Sequence, residues 1–437
     1  MSHLPDLAAS PPTAASSFES DTYAKVTRRL LPLLFLCYVA SYLDRVNVGF
    51  AKLQMLNDLK FSETVYGLGA GIFFVGYFLF EVPSNVILHR VGARVWIARI
   101  MITWGLVSGA MVFVDSAPMF YLMRFLLGVA EAGFFPGVIL YLTYWFPANR
   151  RGKITALFMT AVALSGVIGG PLSGWIMQTL PGVQGLAGWQ WMFVIEAVPS
   201  LALGLAILVF LQDRVIDAAW LGDTEKQFIA AQVHAEAEKK QEGTLRQTLS
   251  DPRVWLASLI YFSFVMGLYG VGFWLPTIIK ATGVKDVFDI GLLSAIPYAV
   301  GAVAMVLVAR HADQHRERRW HVAIPAFIGS AGLILSTVYS TDTLLAMTAL
   351  TVATAGILAT LPLFWSLPTA FLRGTAAAAG IALINSLGNL AGFASPYAIG
   401  WLKDLTQSTN YGMFLLAASL VLGGVLTLAM PARLVNK

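Results

Sequence analysis

The feature that most constrains this chain is a series of apolar stretches, each about 20 residues long, that recurs from one end to the other. A helix of about 20 residues rises about 1.5 Å per residue and crosses roughly 30 Å of membrane hydrocarbon. Only 12% of the residues are charged and 57% are hydrophobic, whereas a soluble domain has roughly 25% charged residues. These values exclude an ordinary soluble enzyme and predict an all-α integral membrane protein.

The apolar stretches predict twelve membrane-spanning helices in two groups of six. Residues 212–252 form the one long polar segment between the groups and are expected to be a cytoplasmic central loop. Residues 1–24 lack the apolar core of a signal peptide and are expected to be a disordered cytoplasmic tail. The predicted bundles therefore occupy 25–211 and 253–437. The approximate spans are 30–52, 64–87, 96–114, 118–142, 154–178, 189–211, 254–280, 288–309, 320–340, 343–365, 375–401 and 411–431.

The basic residues are concentrated on one side of the predicted membrane. Of the 29 lysines and arginines, 22 fall on the side of the N-terminus and the central loop, five fall on the opposite side, and two lie inside spans. Cytoplasmic loops of membrane proteins carry such an excess. We therefore expect a multi-pass protein of the cell inner membrane with both termini in the cytoplasm. The net charge of +5 reflects this topology and does not indicate a nucleic-acid partner.

The two halves of the chain resemble each other. Arg151-Gly152 is echoed by Arg373-Gly374 and Gly174-Trp175 by Gly400-Trp401, at offsets of 222 and 226 residues. These offsets indicate a parallel duplication of a six-helix unit. Duplicated bundles of this kind move against each other around a binding site near the membrane midplane.

Four ionisable residues lie deep within the predicted spans, namely Asp44, Arg45, Arg124 and Glu131. Each charge costs at least about 2.5 kcal/mol at the centre of a bilayer, so four in one half need an explanation. Arginine forms two parallel hydrogen bonds with a carboxylate, which assigns Arg45 and Arg124 to substrate binding. A carboxylate in a desolvated cavity can exchange a proton, which assigns Asp44 and Glu131 to proton coupling. The alternative is a permanent buried ion network between helices.

Adjacent residues on a helix point about 100° apart, so Asp44 and Arg45 need not pair with each other. Glu81 and Glu196 also lie in apolar spans, close to Pro83 and Pro199. Either residue can act as a gate, or it can form an ordinary hydrogen bond between helices. The sequence leaves both interpretations open.

Several segments of the N-terminal half are similar to the signatures of the anion:cation symporter family within the major facilitator superfamily. These segments are 42–51 (YLDRVNVGFA), 76–85 (GYFLFEVPSN), 124–137 (RFLLGVAEAGFFPG) and 188–191 (GWQW). The resemblance implies the twelve-helix fold of two pseudo-symmetric bundles, and import of a small organic carboxylate with protons by alternating access. It also implies a substrate such as tartrate, a sugar acid or an aromatic acid.

The same resemblance places further residues at the substrate site. It assigns Trp365 and Asn385 to the site, facing Tyr42 and Tyr77 from the other half. Asn389 follows Asn385 by four residues and shares its helical face. We therefore count Asn389 among the substrate-binding candidates.

Other functions stay open at this point. An organic-anion exchanger or an efflux carrier would use the same arginines, and a membrane-integral enzyme or a receptor is a more remote alternative. The sequence contains no HExxH motif, phosphate-binding Gly-Lys loop or metal-ligand cluster, so we expect no metal and no cofactor. The expected partners are a small carboxylate, protons and the lipid bilayer, and we expect a monomer with no nucleic acid.

Overall fold

The computed structural model describes residues 14–238, 250–372 and 374–436, and these residues contain helices but no strand. Within them, eleven helices are long and apolar enough to cross a membrane. The predicted eleventh span corresponds to two shorter consecutive helices, Gly374–Asn389 and Ala391–Thr406. Each of the twelve predicted spans therefore has a helical counterpart. In chain order the long helices are Ser17–Leu59, Glu63–Val91, Ala93–Phe113, Ala117–Thr143, Arg150–Thr179, Gly188–Phe210, Pro252–Ala281, Val287–His315, Arg319–Val338, Thr343–Phe371 and Asn410–Ala429.

We call these segments the first to tenth spans, the Gly374–Thr406 pair the eleventh span, and Asn410–Ala429 the twelfth span. Breaks divide four more spans into two helices. The pairs are Ala14–Val46 with Val48–Leu59, Ala117–Glu131 with Phe134–Thr143, Ala148–Met159 with Ala161–Thr179, and Thr343–Phe364 with Ser366–Phe371. Among the described residues, two further α-helices lie outside the spans, Asp223–Glu238 and Ala432–Val435.

The break in the fourth span has a local cause. Gly133 adopts a φ of 88°, which glycine tolerates because it has no Cβ. Pro136 lacks the N–H that would continue the helical hydrogen bonds back to Ala132. Glu131 consequently becomes the last residue of its helix.

The N-terminal tail is shorter than we expected, because the first helix already begins at Ala14. The ring of Tyr23 stacks on that of Phe146 with a centroid distance of 5.9 Å. The Glu19 carboxylate pairs with the Arg150 guanidinium at 2.9 Å. These partners order residues that the sequence placed in a disordered tail. Residues 1–13 of the predicted tail lie outside the described residues.

The polar segment between the halves contains a helix, Asp223–Glu238, that packs beside the start of the first span. Lys25 donates to Glu225 at 2.9 Å, and Phe228 meets Phe18 edge to face at 5.7 Å. We call this end of the molecule the terminal side. The opposite end, where residues 60–62 and 407–409 connect spans, is the far side.

The two halves of the chain meet most extensively along two pairs of spans, the second with the eleventh and the fifth with the eighth, and the first span also contacts the seventh. Gly170 of the fifth span is so close to the eighth that a Cβ on it would lie 2.6 Å from the carbonyl oxygen of Gly291. Glycine therefore permits this contact of backbones. Nearer the far side, Gln178 donates to Asp286 at 2.7 Å.

An ion cluster joins the halves at the far side. Glu63 of the second span pairs with Lys52 of the first span at 2.6 Å and also with Lys403 of the eleventh. The backbone N–H of Thr64 donates to Asp404 at 2.8 Å. Lys52 also lies 3.3 Å from the centroid of the Trp274 ring, which is a cation–π contact. In this structure the far side is closed.

Candidate functional site

A cavity lies between the two halves. The first, second, fourth and fifth spans line it on one side, and the seventh, tenth and eleventh spans line it on the other. It offers about 40 Å³ to the centres of water molecules, which is room for roughly three waters. The lining residues are Tyr38, Tyr42, Arg45, Tyr77, Phe135, Met159, Val162, Tyr261, Val265, Leu268, Tyr269, Leu361, Asn385 and Asn389.

Arg45 is the cation of this cavity. It occupies the last turn of the helix Ala14–Val46, where the helix dipole favours a positive charge. Its Nη1 donates to the Tyr269 hydroxyl at 2.6 Å, and its Nη2 pairs with the Glu131 carboxylate. Its Nε is buried and has no hydrogen-bond partner among the described residues. The guanidinium thus retains donor capacity at the cavity wall.

Glu131 is held beside Arg45 by the break in the fourth span. Its Oε1 accepts hydrogen bonds from Arg45 and, at 2.6 Å, from the Ser41 hydroxyl. The end of a helix carries the negative pole of its dipole, which disfavours a carboxylate there. The pairing with Arg45 offsets this effect. The ion pair joins the first and fourth spans at the cavity wall.

Aromatic rings surround the Arg45 guanidinium. Its central carbon lies 5.4 to 6.0 Å from the ring centroids of Phe73, Tyr77, Tyr42 and Tyr269. Such rings stabilise a cation that has left water. The Tyr42 hydroxyl is buried and has no partner within the described chain, so it is a second polar group at the cavity that is free for a ligand.

The C-terminal half contributes amides to the same cavity. Asn385 and Asn389 both line it, as their shared helical face predicts. Trp365 does not line it, although its ring centroid lies 4.9 Å from that of Tyr261, which does. Of the seven residues predicted to bind substrate, five therefore surround the cavity and Trp365 contacts its wall. The seventh, Arg124, has a different position.

Arg124 is fully buried and lies outside the cavity lining. Its side chain donates to the backbone carbonyls of Gly69, Ala70 and Arg45 at 3.3 to 3.4 Å. The ring of Phe73 contacts both arginines, at 5.4 Å from Arg45 and 5.2 Å from Arg124. Through these hydrogen bonds Arg124 joins the fourth span to the second and first spans. The structure does not bring it to the carboxylate site that we expected.

We expect the variant Arg124→Lys to lose stability rather than affinity. Lysine cannot reach the three carbonyls with one planar group, and lost hydrogen bonds of a charged donor cost about 1.5 to 3 kcal/mol. Thermal unfolding in detergent should show a lower midpoint, while the dissociation constant for substrate should change by less than about 3-fold. A loss of substrate affinity of about 10-fold or more, at an unchanged unfolding midpoint, would instead show that Arg124 binds the substrate.

Asp44 points away from Arg45, as neighbouring positions on a helix require. Its carboxylate accepts hydrogen bonds from Trp104 Nε1 at 2.9 Å, Ser200 Oγ at 2.6 Å and Ser108 Oγ at 3.2 Å. No ion pair to Asp44 occurs within the described part of the chain. Asp44 therefore connects the first span to the third and sixth spans, away from the cavity lining.

Tyr269 was not among the residues assigned to the substrate site, yet its hydroxyl accepts a hydrogen bond from Arg45 and its ring lies beside the guanidinium. A signal was available, because Tyr269 follows Arg45 by 224 residues and this separation matches the offset of the internal repeat. The repeat therefore brings equivalent positions of the first and seventh spans face to face. Tyr38 and Tyr261 were also missed, since nothing in their local sequence distinguishes them from other aromatic residues in spans.

Comparisons with known proteins agree with this architecture. The sequence profile of the Major Facilitator Superfamily matches residues 34–396. A proposed tartrate transporter of Agrobacterium vitis is 51% identical over 94% of this chain and 92% of its own length. A quinolone resistance transporter of Acinetobacter baumannii is 40% identical over 95% of this chain and 96% of its own length.

Solved structures show the same fold at much lower sequence identity. The crystal structure of a D-xylose-proton symporter superposes with a TM-score of 0.74, at 16% identity, and covers 94% of this chain and 98% of that one. The predicted twelve-helix fold is confirmed, and the chain is a multi-pass membrane transporter rather than an enzyme. Its family profile and its relatives together establish that the chain belongs to the major facilitator superfamily.

Proposed function

We propose that this protein is a proton-coupled symporter that imports a small organic carboxylate, such as tartrate, a sugar acid or an aromatic acid, by alternating access. The observation that carries the proposal is the ion pair of Arg45 and Glu131 at the wall of a cavity between the two halves. We place the protein in the cell inner membrane with its terminal side, and hence both termini, in the cytoplasm. The charge distribution of the loops supports this orientation.

Arg45 is the proposed carboxylate ligand. Its guanidinium stays charged, and its planar fork matches the two oxygens of a carboxylate. The unpartnered Nε–H can donate to a further ligand group, which supports this role. Tyr42, Tyr77, Asn385 and Asn389 then offer hydroxyl and amide groups to the rest of the substrate.

Glu131 is the proposed proton carrier. The Glu131 carboxylate and the substrate carboxylate compete for the same guanidinium. A proton on Glu131 removes its negative charge and frees Arg45 for the substrate. Proton and substrate therefore favour each other's binding, and this coupling is reciprocal. In the proposal Trp365 supports the cavity wall through Tyr261, Arg124 joins the fourth span to the backbone of Arg45, and Asp44 is a candidate for binding a further proton.

Alternating access requires that each side of the cavity opens in turn. The far-side cluster of Glu63, Lys52, Lys403 and Asp404 closes the opening toward the periplasm in our orientation. Its ion pairs across the halves have to separate when the cavity opens there.

The transport unit that we propose is a monomer, since a single chain encloses the cavity.

The names of the relatives support two different directions of transport. The similarity to a proposed tartrate transporter supports carboxylate uptake. The similarity to a quinolone resistance transporter supports a second candidate function, the efflux or exchange of an organic anion. Quinolone resistance is a property of that relative, and here it only motivates the alternative.

Uptake into proteoliposomes tests the proposal. The panel consists of labelled tartrate, a labelled sugar acid, hydroxyphenylacetate and phthalate, each measured with and without an inward proton gradient. We expect at least one of these acids to accumulate above its external concentration when the gradient is present and only to equilibrate without it. Uptake that ignores the proton gradient but requires an anion inside the vesicles would instead support the exchanger.

A further inference from the structure

Glu81 connects the two halves at the edge of the cavity. Its side chain is only 3% exposed, and it belongs to the second span. Its Oε1 accepts a hydrogen bond from Asn385 Nδ2 at 2.9 Å and its Oε2 accepts one from Ser386 Oγ at 2.7 Å. Both donors belong to the eleventh span. Both carboxylate oxygens of Glu81 therefore accept hydrogen bonds from the opposite half of the molecule.

One of these donors is itself a cavity residue. Asn385 lines the cavity, whereas neither Glu81 nor Ser386 does. Tyr77, another lining residue, precedes Glu81 by four residues on the same face of the second span. Glu81 consequently lies one helical turn beyond the cavity, toward the terminal side. From there it accepts a hydrogen bond from Asn385, which lines the cavity.

The hydrogen bond fixes the orientation of the Asn385 amide. A carboxylate only accepts hydrogen bonds, so the NH₂ group of Asn385 must face Glu81. The amide oxygen of Asn385 is then left as an acceptor for a donor group on the ligand. Without Glu81 the amide can rotate about its terminal torsion, which has no single preferred value.

The same contact depends on the distance between the halves. It exists only while the second and eleventh spans are together, because its donors and acceptors lie on opposite halves. No lysine or arginine forms an ion pair with Glu81 within the described part of the chain. Opening of the terminal side would therefore remove both hydrogen bonds that Glu81 makes to side chains of the eleventh span.

We propose that Glu81 is a positioning residue for the substrate site: it orients Asn385 toward the ligand while the terminal side is closed and releases Asn385 when that side opens. This inference rests on the proposed transport function. The closed site then binds a hydroxyl-bearing carboxylate tightly, because the oriented amide oxygen accepts a hydrogen bond from the hydroxyl. The affinity falls as the second and eleventh spans separate, and the substrate is released at the terminal side.

A double-mutant cycle tests this role. Uptake of labelled tartrate, a labelled sugar acid, labelled hydroxyphenylacetate and labelled phthalate is measured for Glu81→Ala, Asn385→Ala and the double variant. We expect each single variant to raise the half-saturation concentration about 10-fold, as for the loss of one charge-assisted hydrogen bond. The double variant should be no worse than Asn385→Ala alone, since Glu81 acts only through Asn385.

Two further variants separate positioning from a general structural role. Ser386→Ala removes the second hydrogen bond but leaves the Asn385 contact, so its half-saturation concentration should rise by less than about 3-fold. Glu81→Gln keeps the shape of the side chain and an acceptor oxygen, and it replaces Glu81→Ala in the cycle if the latter does not fold. Its half-saturation concentration should fall between those of the wild type and Glu81→Ala.

Additive effects of the Glu81 and Asn385 substitutions would overturn the proposal, and so would an unchanged half-saturation concentration in Glu81→Ala. The wild type is measured first in the same vesicles. Absence of uptake by the wild type for every acid would contradict the proposed function itself, so the two failures are distinguishable. A loss confined to hydroxyl-bearing acids, with uptake of phthalate unchanged, is the result that the oriented amide predicts.

Discussion

The variant Arg45→Lys should bind substrate at least about 10-fold more weakly than the wild type, although the positive charge is kept. Lysine is a point charge and cannot present two parallel N–H groups to a carboxylate. It still supplies a cation for Glu131, so the pairing of the first and fourth spans is retained. Arg45→Ala removes the cation as well and should lower the affinity by about 100-fold or more. Equilibrium binding of the labelled acid to purified protein measures both effects.

The matched control for this measurement is Arg99→Lys. Arg99 is an arginine of the third span whose guanidinium lies 3.9 Å from the centroid of the Trp96 ring, and it does not line the cavity. Its replacement should leave the dissociation constant unchanged within about 2-fold. An Arg45→Lys variant with wild-type affinity would remove the proposed carboxylate ligand and, with it, the assignment of the cavity.

The variant Glu131→Gln should exchange substrate but fail to accumulate it. Glutamine has the shape of a protonated glutamate and leaves Arg45 free for the substrate, yet it cannot bind or release a proton. With an inward proton gradient, the ratio of internal to external acid should fall from above about 10 to about 1, a loss of about 1.4 kcal/mol or more of stored free energy. Counterflow of labelled acid against unlabelled acid should continue, and the pH dependence of binding should weaken.

Glu196→Gln is the control for Glu131→Gln. Glu196 is a second buried carboxylate, with hydrogen bonds from Asn47 at 3.0 Å and Ser173 at 2.6 Å. It has no arginine partner within the described part of the chain. Its variant should still accumulate the acid in response to the gradient. Loss of counterflow in Glu131→Gln would favour the permanent ion network that the sequence left open.

The fold could be predicted from the sequence because the membrane imposes a length and a composition on each span. Breaks within spans were not predicted, and they decide where the functional groups lie. The break after Glu131 ends a helix at that residue and sets it beside Arg45. The two intramembrane arginines looked equivalent in the sequence, yet only Arg45 faces the cavity. They differ because each helix is rotated differently about its own axis. That rotation depends on how the helix packs against its neighbours, which the sequence does not show.

The candidate site was predicted in part for a similar reason. Asn385 and Asn389 could be paired from their spacing because both lie on one helical face. Trp365 lies at the junction of the helices Thr343–Phe364 and Ser366–Phe371, so periodicity within one helix does not give its direction. The contact of Glu81 with Asn385 joins residues 304 positions apart, and no local pattern indicates a contact at that separation. The boundaries of the two bundles and of the central loop remain predictions.

Proton movement during substrate entry tests the central claim most directly. Proteoliposomes carry a pH-sensitive dye inside, the membrane potential is clamped, and the acid is added outside at equal pH. Vesicles without protein give the passive entry of undissociated acid, which is subtracted. The account predicts that the lumen acidifies in step with the uptake of labelled acid, and that Glu131→Gln abolishes this signal. Uptake of the acid without acidification of the lumen would contradict proton symport.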